Sequence, residues 1–293
     1  MGAAEVRRIP YYPANWRVFL ITRTVLVLLG LVSIMFTLSG KGGGEEEELF
    51  AANLPEHLRE VTNLYVIPGG GTGDGVEGVK DRYPEWTRRR VLAAYEFSKK
   101  KITNGLFLAL SAGSLNTANS LLPDGRVKFE CQHTINHLVE LGVAPQSIVG
   151  DWFSWDTLSN ALFLRMVISG VKASQRKALR GSNHKVSVDV FISDFHADRV
   201  QAAFHWVLGL KPSLLPGVTL SIHKVSSEGI PWPSKEIFDA RVAHEAKGVE
   251  QIKANALMIR TAQELYAFLL LGPHRGFFDY LHGKLPLKKG SGW

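Results

Sequence analysis

The stretch VSVDVFIS at 186–193, followed without a break by DFHADRV at 194–200, decides the fold. Eight β-branched or apolar-rich residues read as a strand. The segment Phe195 to Leu208 after it has the spacing of a helix. The same alternation extends in both directions. VTNLYVI (61–67), GLFLALS (105–111), Ser147–Asp151 and Val218–Val225 are further strand candidates. Glu85–Lys101, Glu130–Leu141, Thr157–Ala173 and a long tail from Phe238 to Leu271 are helix candidates. The strand candidates are mostly continuous apolar runs, as expected for strands covered on both faces. Strands alternating with helices predict a three-layer α/β architecture around a parallel, Rossmann-like sheet. The polar segments 114–128 and 173–185 are expected to be surface insertions.

In such a sheet, ligands bind beyond the carboxyl ends of the strands. The informative residues are therefore Gly69-Gly70-Gly71, Ser111-Ala112-Gly113, Asp151 to Asn160, and Ser193 to Arg199. All four segments are small, polar or ionisable. The three glycines allow backbone N–H groups to approach an anion. His196 is the residue suited to acid–base work near neutral pH, and Arg199 can grip a phosphate or carboxylate with two parallel bonds. Arg90 would assist in holding the anion. Glu130 or Asp151 would orient His196 or take a proton. Ser154, Asp156 or Thr157 is expected to cap the next helix, whereas Asn160 is a poor residue for a helix interior. Arg241, His244 and Glu245 lie within about one turn and read either as a pocket wall or, preferably, as a solvated face.

Several chemistries lack their motifs. Gly73-x-Gly75-x-x-Gly78 resembles a dinucleotide fingerprint, but Pro84 delays the helix and Ser111 stands where an acidic residue should close the second strand. There is no P-loop and no HExxH motif. His133 and His137 share a helix face with Glu130 nearby, which is too little to assign a metal. One cysteine, Cys131, excludes an internal disulfide. The formal net charge is +7, but Arg7, Arg8, Arg17, Arg23 and Lys41 against Glu5 put +4 of it in residues 1–41. The other 252 residues net only +3, with short basic runs and no stripe, so a nucleic acid is not the expected partner.

Residues 18–38 form a 21-residue apolar stretch broken only by Arg23 near its start. That length suits a bilayer-spanning helix. Tyr11, Tyr12 and Trp16 sit where an interfacial aromatic belt would, and basic residues precede the stretch. We read 1–17 as a basic leader, 18–38 as a transmembrane signal anchor and 39–53 as a Gly/Glu linker. The α/β domain is expected at 54–230 and a helical extension at 231–293. The positive-inside bias then places the N-terminus in the cytoplasm and the main domain across the membrane. A cleaved signal peptide ending near Thr37-x-Ser39, or a core helix, are the rival readings.

Taken together, these motifs resemble the family of unassigned function that includes the bacterial proteins SanA, ElyC and YdcF. The resemblance covers about residues 61–205. It rests on Val66-Ile67-Pro68-Gly69-Gly70-Gly71, Arg90 before Ala93-Ala94, Ser111-Ala112-Gly113, and Glu130 opening a helix that ends at Gly142-Val143-Ala144-Pro145. It continues with Asp151, Ser154, Thr157 and Asn160, then with Ser193, Phe195, His196 and Arg199. Ala112 replaces a family glycine, and the segment before Glu130 and the C-terminal region depart from the compact bacterial form. The resemblance implies a Rossmann-like domain, often membrane-anchored, with roles in the cell envelope. It also implies S-adenosylmethionine as a candidate cofactor, since one soluble member is associated with it. The residues alone name no cofactor. They imply a small anionic or nucleotide-like ligand and either a hydrolase or transferase, a non-catalytic binding module, or a scaffold.

Overall fold

A computed structural model describes residues 60–71, 84–101, 105–114, 127–178, 185–232 and 234–271. The expected leader, anchor and linker, residues 1–53, lie outside the described residues, as does most of the 114–128 segment. Among the described residues, no helix is long and apolar enough to cross a membrane.

The chain builds β1 (Asn63–Ile67), α1 (Glu85–Ser98), β2 (Gly105–Ala109), α2 (Glu130–Glu140), β3 (Ile148–Gly150) and α3 (Thr157–Ala178). It continues with β4 (Val186–Ser193), α4 (Asp194–Gly209), β5 (Val218–Val225), α5 (Lys235–Met258) and α6 (Ala262–Leu271). The five strands are all parallel, in the order β3-β2-β1-β4-β5. This is the expected α/β class. Successive strand residues point to opposite faces, and both faces are covered. Leu64, Val66, Leu106, Leu108, Val188, Val190 and Ile192 form one core with α3 and α4. Tyr65, Ile67, Phe107 and Phe191 form a second with Val91 of α1 and Leu138 of α2. Burial on both sides explains why the inner strands read as apolar runs rather than alternating ones.

Two expectations need correction. Residues 173–185 are not wholly a surface insertion, because α3 runs on to Ala178. Ser174 and Gln175 are buried there, and the Gln175 amide donates to the carbonyl of Val61 at 2.7 Å. The side chain serves the chain entering β1, which polarity alone cannot reveal. The C-terminal tail is also two helices rather than one. The break falls at 259–261, where Glu264 accepts from the N–H groups of Arg260 and Thr261 while the Thr261 hydroxyl accepts from Glu264 N–H. That reciprocal cap starts a new helix.

Candidate functional site

The chain leaves β1 and β4 toward opposite sides of the sheet, and their carboxyl ends are the switch point at which sheets of this kind form a ligand crevice. Gly69–Gly71 leaves one side of it and Ser193–Arg199 the other. Arg90, from α1, lies under this switch point and is 1% exposed. Its Nε donates to Ser193 Oγ at 2.9 Å, and its Nη1 donates to the carbonyls of Pro68 and Gly69 at 3.1 and 3.0 Å. Burial, then the charge of Arg241, lowers its pKa to about 9, which leaves it charged at neutral pH. Arg90 therefore ties the two lips of the crevice together. It is not an exposed anion-binding arm, which corrects the role expected of it. Ser193 is correspondingly committed and buried.

The glycine loop is packed too tightly for side chains. A Cβ at Gly69 would collide with the Glu130 carboxylate and Ser111, and one at Gly70 with Thr87 and Trp86. Gly71 has φ +95°, a backbone region that glycine enters without cost. Glu130, at the first turn of α2, accepts a hydrogen bond from the Gly71 N–H, and the Ser111 side chain beside it also favours its charged form. Burial raises its pKa against both and against the charges of Arg90 and Arg241. Ser111 has φ 83°, a strained conformation for a residue with a side chain, and its hydroxyl donates to the Gly113 carbonyl at 2.9 Å. The strain is held in place by α2, whose Cys131 and Glu130 N–H groups bond to the carbonyls of Ser111 and Ala112.

Asp151 is fully buried but does not reach His196. One of its oxygens accepts from the N–H groups of Phe153 and Ser154, both at 3.0 Å. The other accepts a long bond from Ser111 N–H, and Ala112 N–H bonds to Ser154 O at 2.7 Å. Asp151 thus fixes the loop after β3 against the loop after β2, and its expected part in proton transfer gives way to this structural one. Burial raises its pKa as well. Asp156 caps α3, accepting from Ser159 N–H at 2.7 Å. Ser154 and Thr157 are buried beside it, and Asn160 is 6% exposed with an Oδ1 that has no hydrogen-bond partner among the described residues.

His196 lies one turn into α4, 7% exposed, and its Nδ1 bonds to Glu245 of α5. The partner is neither Glu130 nor Asp151, as the sequence suggested. Nor do Arg241 and Glu245 belong to a solvated face, although His244 between them is exposed. Glu245 is 3% exposed, Arg241 Nε lies 2.8 Å from its Oε1, and Arg199 Nη1 lies 3.4 Å from its Oε2. Burial alone would raise the Glu245 carboxyl. The His196 bond and the two guanidinium charges overcome this and hold it at about 2. Burial takes His196 down to about 4 in spite of the carboxylate beside it. A neutral imidazole facing an ionised carboxylate must donate from Nδ1, which leaves Nε2 as a base.

Arg199 has only that one long contact, and its Nε is buried without a hydrogen-bond partner among the described residues. Gly248, one turn beyond Glu245, is the reason it fits, since a Cβ there would lie 2.7 Å from Arg199 Cδ. We expect Gly248→Ala to push α5 off α4 and cost about 1–3 kcal/mol, read by denaturant unfolding, although alanine is the better helix former. A gain in stability would show that the packing yields instead.

Tryptophan completes the rim. Trp86 donates to Gly70 O at 2.7 Å and stacks on Trp232, with ring centroids 4.9 Å apart. In the sequence Arg241 and Glu245 read preferably as a solvated face, and neither Gly248 nor the Trp86–Trp232 pair stands out as part of a site. Searches for relatives gave nothing: no family model, curated protein or solved structure matches the chain.

Proposed function

We propose that the chain binds a small phosphate-bearing anion at the carboxyl edge of the sheet and acts on it as a hydrolase or transferase, with His196 as acid–base. The observation that carries this is Arg199. It is a part-buried guanidinium with a buried, unpartnered Nε, beside a neutral histidine whose Nε2 is left unprotonated. The orphaned Asn160 Oδ1 would accept from the ligand's neutral part. In the hydrolytic form, His196 Nε2 takes a proton from water as its oxygen attacks phosphorus. The phosphorus–oxygen bond to the leaving group breaks, and that oxygen is protonated by Glu130, whose raised pKa suits an acid.

The resemblance to the SanA, ElyC and YdcF family belongs to the same proposal. Its support is that Gly69–Gly71, Ser111, Glu130, Asp151, Asn160, Ser193, His196 and Arg199 all fall at one edge of a Rossmann-like sheet. A single-pass anchor at 18–38 with the domain on the non-cytoplasmic side, and a role in membrane or envelope homeostasis, are carried by the apolar segment and the same likeness. The second reading is a non-catalytic module for S-adenosylmethionine or a nucleotide, favoured by the switch-point position of the crevice. Phosphomonoesters offered to the full chain separate the two. Under the catalytic reading His196→Ala abolishes turnover, on the order of 10²–10⁴-fold, while ligand binding survives, and Arg199→Ala loses binding. Absent turnover with S-adenosylmethionine bound, and lost in Arg199→Ala, would favour the binding module.

A further inference from the structure

The tryptophans of the domain are not scattered. Of the five described, four stand on segments that leave the carboxyl edge of the sheet: Trp86 after β1, Trp152 and Trp155 after β3, and Trp232 after β5. Trp152 and Trp155 follow the outer strand β3, whereas Trp232 returns from β5 to stack on Trp86 beside Gly70. Between Trp152 and Trp155 stands Phe153, 66% exposed, the most exposed large aromatic ring among the described residues. It is held outward. Asp151 fixes the N–H groups of Phe153 and Ser154, and Ala112 N–H fixes Ser154 O, so turning Phe153 inward would break buried hydrogen bonds. Phe129 packs edge-on against Trp152 at 5.3 Å and props the loop from behind.

A rigid phenylalanine between two half-buried indoles has the composition of a bilayer interface, where amphipathic rings sit at headgroup depth. We infer that this edge docks on a phospholipid leaflet, with Phe153 inserted among the acyl chains and the crevice opening toward the headgroups. The anion held by Arg199 would then be a lipid headgroup phosphate, so this inference rests on the phosphate reading for its ligand and on the Phe153 loop for its surface. Chain length permits the arrangement. Residues 39–62, between the apolar 18–38 segment and β1, are 24 residues and reach at most roughly 80 Å. The sheet is only about 10–26 Å tall along its strands of three to eight residues, so a domain entered at the amino edge can still turn its carboxyl edge to the same membrane.

The test uses the full chain in phosphatidylcholine vesicles containing phosphatidic acid. Cys131 is buried and the sole cysteine, so an environment-sensitive fluorophore can be placed on Phe153→Cys alone. Its emission is expected to shift to the blue and to be quenched by nitroxide-labelled acyl chains. The same label on Leu257→Cys, 71% exposed at the far end of α5, is expected to stay water-like. Water-like emission at 153, or equal burial of both labels, overturns the inference. Displacement of bound inorganic phosphate by phosphatidic acid in the same vesicles separates it from the site reading. Phe153→Ser is expected to raise the phosphatidic acid needed about tenfold while leaving the affinity for inorganic phosphate unchanged. Equal loss of both ligands in Phe153→Ser would also overturn it. Arg199→Ala is expected to lose both ligands. A wild-type chain that inserts Phe153 but binds no phosphate would keep the surface and remove the site.

Discussion

Glu245→Ala is expected to cost the fold about 3–5 kcal/mol, among the largest losses that any single side chain here should produce. The carboxylate is 3% exposed and shared among His196, Arg199 and Arg241. Removing it leaves two guanidinium groups pressed together and a buried imidazole N–H without an acceptor. The charges cannot simply be hydrated, because Arg241 and Arg199 are themselves about three-quarters covered on their side chains. Glu245→Gln should lose less, since the amide oxygen still accepts one of these bonds. Denaturant midpoints with unchanged slopes would give the two differences directly. A loss below about 1 kcal/mol in the alanine variant would mean that α5 is held by its apolar contacts alone.

The same cluster makes stability depend on pH, with a sign that can be worked out. The Glu245 carboxyl falls from its ordinary 4.5 to about 2 in the fold, so the unfolded chain binds its proton first as acid is added. Its contribution, about 3 kcal/mol, is complete above pH 4.5 and disappears as pH falls through about 2. His196 acts in the same direction. It is held down to about 4 from 6.5, so protonating the unfolded chain already erodes stability below 6.5. The two share one hydrogen bond and do not add in full. Glu130 and Asp151 oppose them, because burial raises both and their cost is relieved in acid. Unfolding measured at about pH 7 and about pH 3 should show net acid loss in the wild type and a smaller loss in Glu245→Ala.

The sheet and the segments that leave its carboxyl edge are legible because both follow from local pattern. Apolar runs such as 105–111 and 186–193 mark strands, and glycine or polar residues after them mark the edge. Arg90, Asp151 and Asn160 stand out in the sequence as candidates for a site, yet their work depends on what folds against them. Arg90 reads as a cation seeking an anion, but Ser193 comes from 103 residues away to take it. Glu245 was the harder case. Its helix buries only Glu245, Ile252 and Asn255, a stripe almost without apolar residues, so Arg241 and Glu245 look like a surface pair four apart. The readable sign was Gly248, a poor helix former kept in mid-helix on the same stripe. It signals a close approach by something large, and that something is Arg199.

Arg90→Ala should reach a similar magnitude by a different route, about 3–5 kcal/mol, and should fail in function as well as in stability. The guanidinium is the only group that joins the end of β1 to the end of β4 beneath the crevice by side-chain bonds among the described residues. Without it, the Pro68 and Gly69 carbonyls and the Ser193 hydroxyl lose a buried donor together, and the glycine loop loses its hold. Arg90→Lys is not a remedy, since one ammonium cannot place donors in the fixed fork that reaches all three oxygens. Arg199→Ala gives the contrasting result. Its side chain is 22% exposed and weakly tied, so it should lose the anion and keep most of the stability. Unfolding and phosphate binding measured on both variants therefore sort the two arginines. An Arg90→Ala protein as stable as the wild type would mean that the lips of the crevice are held by the sheet alone, and would return Arg90 to the role of a ligand cation.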